Sequence, residues 1–227
     1  MGGDSMKLEL KREIIPFLVL IIFITASIYF YKTLPDIIPS HFDINGKPDA
    51  YMPKTQLMLI FFAVLLGLYI LLTFIPLIDP FWKKIQSKYS IFLLLRDFVL
   101  LFFLYFYIIA LIAGKEGHLS IVNIGIGFGF LFILLGNYLP KLPRNFFFGI
   151  RTPWTLASET VWRKTHILGG WLFVLSGILI IILSYFKVNL GISLLITLLP
   201  LLIISSFLYP FLLYKKLQRE ENKLPQL

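Results

Sequence analysis

Two stretches of this 227-residue chain concentrate side chains able to do chemistry. The first, residues 136–170, reads GNYLPKLPRNFFFGIRTPWTLASETVWRKTHILGG. Its Arg144, Arg151, Arg163 and Lys164 suit an anion such as a phosphate, most of all near a helix start, where free N–H groups point outward. Glu159 and His166 are the acid–base types within it. The second stretch, residues 32–54, reads KTLPDIIPSHFDINGKPDAYMPK. Its His41, Asp43 and Asp49, with Glu116 and His118 further along, are metal-ligand types. No compact spacing such as His-Glu-x-x-His joins them, so no metal is expected, and a hydrogen-bonded structural His41 with a solvated His118 is the simpler reading. The chain has no cysteine, which removes disulfides, thiol catalysis and thiolate metal sites. It has no Gly-x-Ser-x-Gly elbow either, and nothing in it implies a cofactor.

A third feature is the adjacent pair Arg96 and Asp97, set inside an otherwise uncharged apolar run. Intramembrane charges mark ion or proton pathways because they are expensive. Neighbours along a helix face different directions, so these two are not an automatic ion pair. The expectation is that both sit at the membrane boundary and snorkel.

What must position these groups is a set of apolar helices. Hydrophobic residues make up 58% of the chain and charged ones only 15%, too few to cover a soluble surface. Six segments reach the roughly 20 apolar residues a bilayer crossing needs: about 14–31, 55–78, 92–113, 120–139, 167–186 and 191–213. No polar stretch exceeds a loop, so residues 6–227 read as a single membrane domain. Met1 to Ser5 precede a second methionine and read as an added leader.

Orientation follows from Lys and Arg. With the N-terminus inside, sixteen fall on the inner side, counting Arg96, and five on the outer side. Both termini are therefore expected in the cytoplasm. The net charge of +9 is then a topology signal and a contact for anionic phospholipid, with no separate support for nucleic-acid binding. Gly125, Gly127 and Gly129 lie in the fourth span, where the four-residue spacing of Gly125 and Gly129 suits close helix packing rather than a phosphate loop.

On the outer side, Asn45-Gly46 predicts a β-hairpin with a two-residue turn and positive φ at both positions. Alternation would direct Phe42 and Ile44 onto the bundle and His41 and Asp43 away from it or into a polar cleft, while Pro48 confines the return strand to an edge. On the inner side, Thr152 and Pro153 form a good helix start. Glu159 and Arg163, four apart with the acid first, predict an ion pair. Trp154, Val161, Trp162 and Phe146 to Phe148 supply apolar surface at headgroup level, giving a short interfacial helix ahead of the fifth span. Such a segment is either an anchor or a binding surface for a cytosolic protein, a lipid or a nucleotide; physics alone favours the anchor.

The inner string Asn137 to Lys141, then Asn145 to Leu156, then Ser158-Glu159 and Val161 to His166, resembles the signature of the SdpI family. The outer elements Leu34-Pro35, Ile38 to Phe42 and Asn45-Gly46-Lys47-Pro48-Asp49 are similar to a domain of unknown function at the N-terminus of those proteins. The resemblance implies a non-enzymatic membrane immunity protein that protects against a secreted, membrane-active peptide toxin. In the founding system it also implies signalling, with a cytosolic transcriptional repressor held at the inner face.

Carried onto this chain, the inner functional candidates are Asn137, Asn145, Gly149, Arg151, Thr152, Trp154, Ser158, Glu159, Trp162, Arg163 and His166. The outer binding candidates are His41, Asp43, Asn45, Gly46, Pro48 and Asp49. The competing reading is a membrane enzyme or lipid-handling protein whose inner-loop arginines bind a phosphate group. A transporter is weakened by the scarcity of intramembrane charge and the lack of an internal repeat.

Overall fold

The computed structural model describes residues 10–43 and 45–222; the Met1–Ser5 leader and Ile44, with its expected capping role, lie outside the described residues. Among the described residues, six helical stretches are long and apolar enough to cross a bilayer: Lys11–Thr33, Lys54–Ile78, Trp82–Glu116, Ile121–Lys141, Glu159–Tyr185 and Leu190–Glu221. The protein is thus a multi-pass membrane protein, and among the described residues its one sheet is a two-stranded antiparallel hairpin. Helices satisfy their own backbone groups, which hydrocarbon cannot do for them. Large apolar side chains such as Phe17, Leu59, Leu71, Trp171 and Leu195 accordingly face outward.

In chain order the elements are α1 (Ile14–Thr33), β1 (Ile37–Phe42), β2 (Pro48–Pro53), α2 (Lys54–Phe74), α3 (Tyr89–Glu116), α4 (Ile121–Tyr138), α5 (Pro153–Ala157), α6 (Glu159–Tyr185), α7 (Leu190–Leu202) and α8 (Tyr209–Glu221). The fifth span begins eight residues earlier than its apolar run, because Ser158 caps it by accepting from Val161 N–H. The polar first turns of α6 are therefore part of the long helix. Only Pro153–Ala157 forms the separate short one. Between α7 and α8, Ile203–Leu208 form a π-helical turn lying between Pro200 and Pro210, which lack the N–H that would complete a regular ladder.

The first three spans share a core of Val19, Phe23, Leu65, Leu100, Leu104 and Tyr107. The Tyr107 ring stacks on Phe23 at 4.2 Å, and its hydroxyl meets Ser27 Oγ at 2.7 Å. α4 and α6 approach through glycines, as the Gly125 and Gly129 spacing predicts. A Cβ at Gly129 would stand 2.7 Å from the Gly177 carbonyl, and one at Gly136 equally close to the Gly170 carbonyl. Gly127 instead faces Tyr105 of α3.

This arrangement gives the bundle two ends. The hairpin lies beside the α3–α4 turn, since Leu119 N–H donates to the Gly46 carbonyl. The 139–158 segment lies at the opposite end with residues 75–88, where a second core gathers Ile85, Phe92, Leu95, Leu139, Leu142, Ile150 and Trp162.

Candidate functional site

The loop at that second end is built around Asn145, which is fully buried. Its amide donates to the Pro143 and Phe148 carbonyls at 2.9 and 3.0 Å. Its carbonyl oxygen accepts from Phe147 and Phe148 N–H at 2.9 and 2.6 Å. One side chain thereby supplies partners to a stretch of backbone that no helix serves. The chain then turns at Gly149 with φ +98°, where a Cβ would strike the His166 imidazole.

His166 is buried in the second turn of α6. Its Nδ1 donates to the Trp162 carbonyl at 2.8 Å, which leaves the Nε2 lone pair to accept from Ile150 N–H at 3.0 Å. The ring stacks on Trp162 at 4.0 Å, and the Trp162 indole N–H donates to the Leu142 carbonyl at 2.9 Å. Trp162 is only 1% exposed, so its expected place at headgroup level is corrected. It pins the loop from within rather than anchoring it from outside. Val161 is likewise fully buried.

Thr152 caps α5 with Pro153 as the first helical residue, as read from the sequence, and Thr155 completes a reciprocal capping box. Trp154 packs its ring on Phe207 and Phe211, tying α5 to the last span. The predicted Glu159–Arg163 pair is replaced: Glu159 meets Arg144 Nε at 3.3 Å. Arg144 also donates to the Leu156 carbonyl and lies 5.0 Å over the Phe81 ring. The tertiary fold brings this cation nearer than the one a turn along the helix. Arg151 is exposed and donates to the Phe146 carbonyl at 2.6 Å. Asn137 and Arg163 stay outside the knot: both are exposed, and the Asn137 amide returns to the Ile133 carbonyl of its own helix.

Asp79 was missed by sequence reasoning. It is 4% exposed; its Oδ2 accepts from Phe146 N–H and its Oδ1 from Phe81 N–H, both at 2.7 Å. The Phe146 backbone is thus held at its N–H by a buried carboxylate and at its carbonyl by the Arg151 guanidinium. The available signal was the Asp79-Pro80 turn dipeptide between two spans.

Arg96 also departs from expectation. It is fully buried and does not snorkel. Its Nε and Nη2 reach Asp97 at 3.0 and 2.9 Å, its Nη1 reaches Glu13 and Thr73 Oγ1 at 3.1 Å, and its Nη2 donates to the Arg12 carbonyl at 2.9 Å. Tyr69 adds a hydrogen bond to Glu13 at 3.0 Å, and Tyr89 one to the Thr73 carbonyl at 2.6 Å. Adjacent residues do pair here, because the long arginine arm folds back along its own helix.

At the hairpin end, His41 Nδ1 meets Asp49 Oδ1 at 2.5 Å across the strands, and both side chains are exposed. Asp43 works in the turn instead, accepting from Asn45 and Lys47 N–H at 2.8 Å each. The Lys47 bond, with a smaller contribution from Asn45, holds the Asp43 carboxyl below its ordinary value. Its contribution to the turn is therefore present above the usual carboxylate range and is lost as pH falls through the lowered value. The expected two-residue turn is corrected: Asp43 N–H pairs with the Lys47 carbonyl, and within the turn positive φ falls on Gly46 but not on Asn45. Phe42 is half-buried and pairs with Pro48, and the register breaks on both sides of His41, so strict alternation fails there.

Gly46 has φ +78° and its Cβ position is blocked by the Leu119 carbonyl. Gly46→Val should cost about 1–3 kcal/mol of local stability. Thermal unfolding in detergent should register the loss while six-span insertion is retained. A variant matching wild type in unfolding would mean that the turn constrains nothing.

Residues 141–212 match the SdpI/YfhL protein family, and residues 17–68 match a domain of unknown function, DUF1648. Over 209 residues the chain is 32% identical to "Immunity protein SdpI" of Bacillus subtilis (strain 168), covering 92% of this chain and 98% of that protein. The chain belongs to the SdpI family. No solved structure matches it. The SdpI-matched segment takes in Asn145, Gly149, Arg151, Trp162 and His166 and runs through α7. The other matched segment takes in most of α1, the hairpin and most of α2. Asp79, Arg96 and Asp97 fall between the two, and Asp79 reaches into the SdpI-matched segment through Phe146 N–H.

Proposed function

We propose that this protein confers immunity to a secreted, membrane-active peptide toxin, with the hairpin facing outside and the Asn145–His166 knot facing the cytoplasm. The observation that carries the reading is the identity with an immunity protein along nearly the whole of both chains. The orientation rests on the sixteen-to-five distribution of Lys and Arg. The exposed His41–Asp49 pair offers polar contacts to a peptide arriving from outside. At the other end, exposed Phe146, Arg151 and Glu159 give a soluble protein a mixed apolar and charged surface, and a cytosolic repressor is a partner of that class. Exposed basic residues such as Lys164 attract anionic phospholipid.

Acid–base catalysis is the poorer fit: both His166 nitrogens hold the loop together, and Glu159 is an exposed partner of Arg144. The test is expression in a sensitive host. The chain should raise the toxin dose needed to stop growth, and an unchanged dose removes the immunity reading. Orientation is tested separately in this cysteine-free chain. Single cysteines at Lys47 and Lys141 should differ in labelling by an impermeant reagent on intact cells, with Lys47 reactive. Labelling at Lys141 alone would invert the topology.

A further inference from the structure

The last span has one place where it can bend. Its buried stripe steps four residues at a time through Ser193, Thr197, Leu201 and Ser205, then five residues to Pro210. The extra residue is taken up by the π turn Ile203–Leu208, where Tyr209 N–H donates to the Ile204 carbonyl five residues back. Pro200 and Pro210 stand on either side, and neither has an N–H to donate to the turn before it. The hydrogen-bond ladder is thinned at both ends of the π turn, so bending there breaks few backbone bonds.

The same span is loosely held against α6. Its buried hydroxyls return their bonds to their own helix: Ser193 to the Asn189 carbonyl, Thr197 to the Ser193 carbonyl and Ser205 to the Leu201 carbonyl. Among the described residues one hydrogen bond crosses from α6, from Ser176 Oγ to the Thr197 carbonyl, and at 3.4 Å it is long. A Cβ at Gly169 of α6 would lie 3.7 Å from Ser205, and one turn earlier the fully buried Thr165 hydroxyl has no partner, which weakens the hold further. Below the turn the grip changes. Trp154 packs on Phe207, within the turn, and on Phe211, beyond it, so α5 is fastened to α8. α5 is bonded in its turn to the loop: Thr155 Oγ1 donates to the Ile150 carbonyl at 2.9 Å, and Arg144 donates to the Leu156 carbonyl at 3.0 Å.

We propose that α8 swings about the π turn and carries α5 with it through Trp154, so that the last span sets how the Arg151 and Glu159 surface is displayed. The use of that surface rests on the immunity reading; the motion does not, and it is measured without toxin. A bend of about 20° moves the far end of α8, about 20 Å from the turn, by about 7 Å. At Phe211, nearer the pivot, the same bend gives about 3 Å.

The full-length protein in lipid nanodiscs is spin-labelled at pairs of introduced cysteines, and distances are read by double electron–electron resonance. Lys164 with Arg219 reports α8 against α6, Lys88 with Ala157 reports α5 against the second core, and Lys88 with Lys164 is the fixed control; all four positions are exposed. In wild type the α8 pair should spread about 7 Å beyond the control, and the α5 pair about 3 Å. Pro200→Leu with Pro210→Ala returns both N–H groups and should narrow both pairs to the control. Trp154→Ala should narrow the α5 pair alone, since Thr155 and Arg144 still bond α5 to the loop. If the double proline replacement fails to fold, wild type and Trp154→Ala decide. An α8 pair as narrow as the control in wild type, a spread that survives replacement of both prolines, or an α5 spread unchanged by Trp154→Ala overturns the proposal.

Discussion

Replacing Arg96 with methionine should destabilise the protein by about 3–5 kcal/mol, the range for breaking a buried ion pair from one side. All five N–H groups of Arg96 are engaged, and its partners come from the segment before α1, the end of α2 and α3 itself. Methionine fills much of the volume but removes the guanidinium that Glu13 and Asp97 share. Thermal unfolding in detergent and the yield of folded protein both report the loss. A companion makes the cause specific. Adding Glu13→Gln and Asp97→Asn to Arg96→Met removes the stranded charges and should recover a large part of the stability. An Arg96→Met protein as stable as wild type would return this residue to the snorkelling role expected from sequence.

Asn145→Leu should be nearly as damaging, at about 3 kcal/mol, for a different reason. The shape is kept, but two N–H groups and two carbonyls lose their partner together; the site is part-buried, so water replaces some of these bonds, and each group left unmet costs about 1–3 kcal/mol. The loss is local, since α6 and its Ser158 cap do not depend on Asn145. The six spans should insert normally while the loop from Pro143 to Ile150 becomes open to protease. Protease resistance equal to wild type would show that Trp162 and His166 hold the loop unaided.

Spans, hairpin and the short helix at Pro153 were legible because each rests on a local signal: an apolar run, a turn glycine, a cap followed by proline. The failures share the opposite property. Helical spacing, visible in sequence, points Glu159 to Arg163, whereas its partner Arg144 lies fifteen residues back and arrives only through the loop's fold. Trp162 looked interfacial because indoles favour headgroups, yet the Leu142 carbonyl gives its N–H a buried partner that no periodicity predicts. Sequence points Arg96 to the boundary because snorkelling needs no partner, while burial needs several, and most of those come from outside its own helix. Asp79 carried too plain a signal to single out: an Asp-Pro dipeptide in a loop reads as a turn, and its bond to Phe146 crosses 67 residues. Family resemblance pointed to Asn145, Gly149, Trp162 and His166 together without saying what they do. Their common task is to fold one loop.

That loop presents Arg151 and Glu159 at its surface, and the proposed immunity function is expected to be exercised there as well as at the hairpin. The most direct measurement is the growth-arresting toxin dose in a sensitive host carrying wild type, Arg151→Ala or Glu159→Ala at matched membrane levels. Both side chains are exposed, so neither change should unfold the protein. The expected result is protection by wild type and a dose near the empty-vector value for both variants. Full protection by both would contradict the claim and confine the protective surface to the hairpin and the spans.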